Sequence, residues 1–169
     1  MKLKELKKNT IGWILYDFAD SSFVTVMVTV LFSMYFKNHI VNQGELGTAL
    51  WGRAVSVSML MVAVLAPVLG AIADYSHSKK LLLSIFTYAC VAFTSVLFFS
   101  KPGMIFFSMI IFIFANFAFN SANVFYNAFL PMVSEPDNLG KISGIAWGIG
   151  YLGGLVSLLL VMPVVKMSL

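Results

Sequence analysis

Charged residues divide this chain into long apolar runs. Ala54–Ala73 and Leu81–Ser100 are each 20 residues without a charge, Ile142–Val165 is 24, and Pro102–Ser134 is 33. A hydrocarbon core of about 30 Å is crossed by roughly 20 helical residues. A further apolar run from about Thr10 to Phe36 is long enough to cross as well, although it carries Asp17 and Asp20. The pattern predicts an all-α polytopic membrane protein with five spans, roughly 10–36, 48–73, 81–100, 103–128 and 142–165. Residues 1–9 precede them as a basic N-terminal segment, and 10–169 form the membrane domain. The 33-residue window exceeds one membrane thickness, which places Leu130-Pro131 in the interface.

Composition agrees with the pattern. Hydrophobic residues make up 60%, charged residues 11%, and mean hydropathy is +0.92. A soluble domain carries about 25% charged residues, so this chain lacks the polar surface to coat itself in water. Disordered chains are poor in apolar and aromatic residues, and this one is not. The net charge of +4 does not signal nucleic acid, because the basic residues sit in short breaks and form no continuous face. The partner surface is the lipid bilayer. Cys90 is the one cysteine, cannot form an intrachain disulfide, and reads as a small buried hydrophobe.

The lysines set an orientation. With a cytoplasmic N-terminus, Lys2, Lys4, Lys7, Lys8, Lys79, Lys80 and Lys141 fall inside, and Lys37, Arg53, Lys101 and Lys166 fall outside. That bias follows the positive-inside rule. Met1–Lys8 is basic, but the apolar segment after it is far longer than a signal-peptide core, so the first helix is expected to remain as a span.

Polar groups within the spans carry the candidate chemistry. Asp17 and Asp20 are three apart and share a helical face. An acidic residue near a helix centre costs about 2.5–3.5 kcal/mol on insertion scales, and is tolerated where it meets water, a proton or a partner. For Asp17, a hydrated position near the cytoplasmic interface is an equal reading; Asp20 lies deeper. Arg53, at the start of the second helix, stands about 15 Å from Asp20 in depth at about 1.5 Å per residue and is expected to snorkel outward. Asn116, Asn120, Asn123 and Asn127 fall in a stripe roughly 60° wide on the fourth helix. Such amides either tie helices together or wall a solute path. Asn120 and Asn123 match the depth of Asp20 and Asp17, which favours the wall.

The fifth helix carries two G-x-x-x-G pairs, Gly144/Gly148 and Gly150/Gly154, which point to close helix packing. His39 and His77 lie in separate loops and no Cys/His cluster exists, so no metal and no cofactor are expected. The serines lack a buried base, which disfavours a membrane hydrolase and leaves no catalytic residue to name.

Three segments carry a family resemblance. Trp13-Ile14-Leu15-Tyr16-Asp17-Phe18-Ala19-Asp20-Ser21-Ser22-Phe23 resembles the W-x-x-Y-D-x-A-x-S-x-F opening of the UMF1/Atg22-like branch of the major facilitator superfamily. Tyr126-Asn127-Ala128-Phe129-Leu130-Pro131 and Ser143–Gly154 resemble the same branch's fourth-helix exit and fifth helix. Gly70-Ala71-Ile72-Ala73-Asp74 with Lys79-Lys80 is similar to the superfamily's loop between helices two and three. Tyr75 and His77 depart from that loop, where basic and glycine residues are usual, so a weakened gate is implied.

The resemblance implies an incomplete N-terminal half of a major facilitator superfamily fold, whose first and fourth helices line a central cavity. It implies a secondary transporter of a small polar solute, with amino acid efflux the best-known activity. Tyr16, Asp17, Asp20 and the four asparagines would serve the path, and Gly70, Asp74, Lys79 and Lys80 the cytoplasmic gate. Five spans leave the C-terminal half of such a transporter as the missing partner. The competing expectation is a truncated, non-transporting membrane fragment or partner subunit. The membrane would be the plasma membrane in a bacterium and the vacuolar or lysosomal one in a eukaryote.

Overall fold

A computed structural model describes residues 3–76 and 78–168. Lys2 and His77 therefore lie outside the described residues. Among these residues there is no strand, and five helices are long and apolar enough to cross a membrane: Lys8–Ile40, Gly44–Ile72, Lys79–Phe99, Ile105–Ala128 and Pro136–Pro163. The helix exteriors are apolar because their solvent is lipid. Leu60, Val64, Tyr88, Phe106, Trp147 and Leu160 are all exposed on them.

The first span begins as α1 (Leu3–Phe23), passes through a π-helical segment at Val24–Val30, and continues as α2 (Leu31–Tyr35) and a second π segment at Phe36–Ile40. Six of the seven residues in Val24–Val30 are β-branched valine or threonine, which disfavour a regular α-helix, with Thr25 and Thr29 among them. The second span is α3 (Gly44–Ser76) and contains Pro67. It begins nine residues before Arg53, so that side chain sits within the helix rather than at its start, and it is exposed. The third and fourth spans are α4 (Lys79–Val96) and α5 (Ile105–Ala128). Lys101–Met104 turns the chain between them, with Pro102 supplying a fixed φ and Gly103 a φ of +85°. After α5 the helix breaks at Phe129. A short α6 (Leu130–Val133) with Pro131 and a 3-10 turn lead into α7 (Leu139–Ser168).

The chain divides into two compact units. One runs from Ser33 to Ala128; the other joins the chain up to Phe32 with the chain from Phe129 onward. The Ser33–Ala128 unit is built around α5, whose buried face runs Ser108, Phe112, Ala115, Asn116, Ala118, Phe119, Ser121, Ala122, Phe125 and Tyr126. Helices α3 and α4 pack against it. Aromatic contacts fill the seams: Trp51 lies 4.0 Å from Phe112, Phe86 5.8 Å from Phe125, and Phe93 5.5 Å from Phe114, centroid to centroid. Small residues let α3 approach closely elsewhere. A Cβ on Gly47 would come 2.9 Å from the Lys37 Cα.

In the other unit α1 packs along α7, and α6 is tied back by the Thr10 hydroxyl, which donates to the Val133 carbonyl at 2.5 Å.

Candidate functional site

The α1–α7 seam explains where the first aspartate sits. Asp17, Ser21 and Thr25 recur every fourth residue, so they lie one above another on the helix. Glycines of α7 receive them. A Cβ on Gly150 would fall 2.5 Å from Asp17 Oδ2 and 2.7 Å from Ser21 Oγ. One on Gly153 would overlap the Phe18 carbonyl, and one on Gly154 would overlap Thr25 Oγ1. The backbones meet here because hydrogen takes the place of a side chain. Ser157 closes the seam. Its hydroxyl donates to the Gly153 carbonyl at 2.8 Å, so Ser22 is the donor in the 2.6 Å Ser22–Ser157 bond. Asp17, Asp20 and Tyr16 are half-buried, and Asp17 Oδ2 is a buried atom.

The two glycine pairs of α7 differ sharply. Gly150 and Gly154 are buried against α1, whereas Gly144 and Gly148 are exposed with nothing within 4 Å of an added Cβ. Gly153, which belongs to neither pair, makes the tightest approach of all.

The asparagine stripe of α5 also separates into parts. Asn116 is 1% exposed, and its Nδ2 donates to Ser58 Oγ of α3 at 2.6 Å. Of the two readings of the stripe, Asn116 takes the interhelical one. Asn120 Nδ2 donates to the Asn116 carbonyl at 2.7 Å and lies 3.3 Å from Asn116 Oδ1. Asn123 Nδ2 reaches the Phe119 carbonyl at 3.4 Å. Asn120 and Asn123 are half-buried and Asn127 is exposed. Burial therefore falls along the stripe, from Asn116 tied to α3 at one end to the exposed Asn127 at the other.

At the α3–α4 turn, Lys79 Nζ lies 2.7 Å from Asp74 Oδ1, with the side chains 30% and 70% exposed respectively. That exposure makes the pair a weak one, worth about 0–1 kcal/mol at a surface. Gly70 has open space around it and Lys80 is exposed. Beside the pair, Ser78, Lys80, Leu81 and Ser84 line an open groove of about 500 Å³.

Sequence reasoning passed over Ser21, Ser22, Thr25, Ser157 and Ser58. The signal for Ser21 and Thr25 was present in their fourfold spacing from Asp17, and for Ser157 in its lying seven residues past Gly150, whereas Ser22 falls outside both spacings. Ser58 carried no comparable signal, since its partner lies 58 positions away. Among the described residues no group of His, Cys, Asp and Glu could hold a metal ion.

Comparison with known proteins adds a family. Residues 48–140 match the family described as "Vacuole effluxer Atg22 like". An uncharacterized MFS-type transporter of Bacillus subtilis, YxiO, is 30% identical over 169 residues, which covers 98% of this chain and 40% of that protein. An uncharacterized protein of Aquifex aeolicus is 25% identical over 158 residues, covering 92% of this chain and 38% of its own length. The chain thus spans about two fifths of the length of these relatives. No solved structure matches.

Proposed function

The chain belongs to the Atg22-like effluxer family of MFS-type membrane proteins, and on that premise we propose that it supplies the first spans of a secondary transporter for a small polar solute. The observation that carries this is the graded asparagine stripe. α5 is long and apolar enough to cross a membrane, yet Asn120 and Asn123 stay half-buried and Asn127 is exposed. Amide groups only partly covered on a membrane-spanning helix are costly against lipid and tolerated against a watery path. Asp20 of the first span is the carboxylate assigned to the path, for solute or proton contact. Asp17, packed on Gly150, supports the same helix from its seam side.

The path needs an opposing wall, which further spans of a C-terminal half would supply. Gly70, Asp74, Lys79 and Lys80 form the gate on the cytoplasmic face, with the N-terminus on that side. To this path we also assign amino acid efflux and coupling to protons.

The test is solute flux into proteoliposomes holding the full-length protein, measured across a panel of amino acids with and without an imposed pH gradient. The reading expects gradient-dependent flux of at least one solute, falling to background in Asp20→Asn. Flux indifferent to the gradient removes the proton role. Flux indifferent to Asp20→Asn removes the assigned site.

A further inference from the structure

A hydrogen-bond chain crosses from α3 to α5 within the Ser33–Ala128 unit, and its direction is set at its first link. The Ser58 hydroxyl lies 2.7 Å from the Val55 carbonyl of its own helix. A carbonyl has no hydrogen to give, so the single hydroxyl hydrogen of Ser58 points there. Toward Asn116 the Ser58 oxygen can only accept, and the Asn116 atom facing it at 2.6 Å is therefore Nδ2.

The amide of Asn116 is fixed by that bond. Its Oδ1 is left to face Asn120, whose Nδ2 stands 3.3 Å away and also donates to the Asn116 backbone carbonyl at 2.7 Å. Both acceptors draw on the same amide nitrogen. The hydrogens of Asn120 are thus turned toward Asn116, and its Oδ1 accepts no hydrogen bond among the described residues. Ser58 is 0% and Asn116 1% exposed, so water cannot replace either link, whereas Asn120 is half-buried.

Resting on the reading that the fourth span lines a solute path, we propose that this chain makes Asn120 an oriented acceptor that selects solutes carrying an N–H donor, an ammonium group above all, with Ser58 as its positioning residue. A freely rotating asparagine offers a donor or an acceptor to whatever arrives and discriminates neither. One whose nitrogen is already committed offers only a carbonyl oxygen. That oxygen binds a charged donor more strongly than a neutral one, and gives nothing to a methyl group in the same place.

The experiment uses the detergent-solubilised full-length protein and three probes on one carbon skeleton: L-alanine, L-lactate and propionate. They place an ammonium, a hydroxyl and a hydrogen at the same carbon. Apparent affinities come from ligand-dependent thermal stabilisation. The expected order is alanine, then lactate, then propionate, with alanine ahead of propionate by about tenfold to a hundredfold. Asn120→Leu should abolish the difference. Asn120→Asp, an acceptor at both oxygens, should retain it. Ser58→Ala should narrow the alanine-to-propionate ratio and Ser58→Thr should restore it, a pattern that mere loss of packing does not produce.

If Asn120→Leu does not fold, the Asn120→Asp and Ser58 variants carry the decision. Persistence of the alanine preference in Asn120→Leu, or an unchanged ratio in Ser58→Ala, overturns the proposal. Equal response of the wild type to all three probes overturns the acceptor and leaves the solute path standing. Response to none overturns the acceptor too, and the flux assay then judges the path separately.

Discussion

At the residue scale, the same side-chain type plays different parts according to what it touches. Asn116 and Asn127 share a stripe, but one is sealed against Ser58 and the other is exposed. Asn116→Ala should lower the stability of the folded protein by about 0.5–2 kcal/mol, since interhelical hydrogen bonds in membranes are worth modest amounts. Asn127→Ala should lie within about 0.5 kcal/mol of wild type. Denaturant titration in mixed micelles checks both, and equal losses would dissolve the distinction. Lys79→Ala is a companion case. Its partner Asp74 is 70% exposed, so solvent screening keeps the expected loss below about 0.5 kcal/mol in the same titration. The stripe itself was legible from sequence because helical spacing alone defines a face. Its division was not, because Ser58 reaches Asn116 only once α3 and α5 are packed.

At the scale of elements, glycine spacing located a packing helix but not its packing face. Gly144 and Gly150 are six positions apart, roughly 240° around the helix, so one neighbour cannot use both pairs. α1 takes Gly150, Gly153 and Gly154. Gly153→Ala forces a methyl group into the Phe18 carbonyl and should cost at least about 2 kcal/mol after its gain in helix propensity is subtracted. Gly144→Ala has open space and should be neutral or stabilising by up to about 1 kcal/mol. The melting temperature should therefore fall in Gly153→Ala and hold or rise in Gly144→Ala; an equal fall in both would mean the seam is not as drawn. The spans were legible because a stretch of about 20 residues in lipid tolerates few charges, as the isolated Asp17, Asp20 and Arg53 illustrate. The π segments at Val24–Val30 and Phe36–Ile40 were not, because a count at 3.6 residues per turn assumes a uniform helix. Arg53 was misplaced at the start of its helix for a related reason. The uncharged window begins at Ala54, but the helix itself begins at Gly44.

For the molecule as a whole, the comparisons place the chain in the Atg22-like, MFS-type family, and five helices among the described residues are long and apolar enough to cross a membrane. Its composition already excluded a soluble domain. The proposed solute path stands or falls on whether the amides of α5 meet water. Cysteine labelling in the membrane measures this most directly, using the full-length protein with Cys90→Ala as background, since the native Cys90 is buried. Single cysteines would replace Asn120, Asn123 and Asn127, with Phe112→Cys, from the fully buried face, as the control. A water-soluble, membrane-impermeant thiol reagent applied to inverted vesicles should modify all three asparagine positions and leave the control untouched. Three inert positions alongside a reactive cysteine at Lys80 would show that the reagent had access and that no watery path follows the stripe.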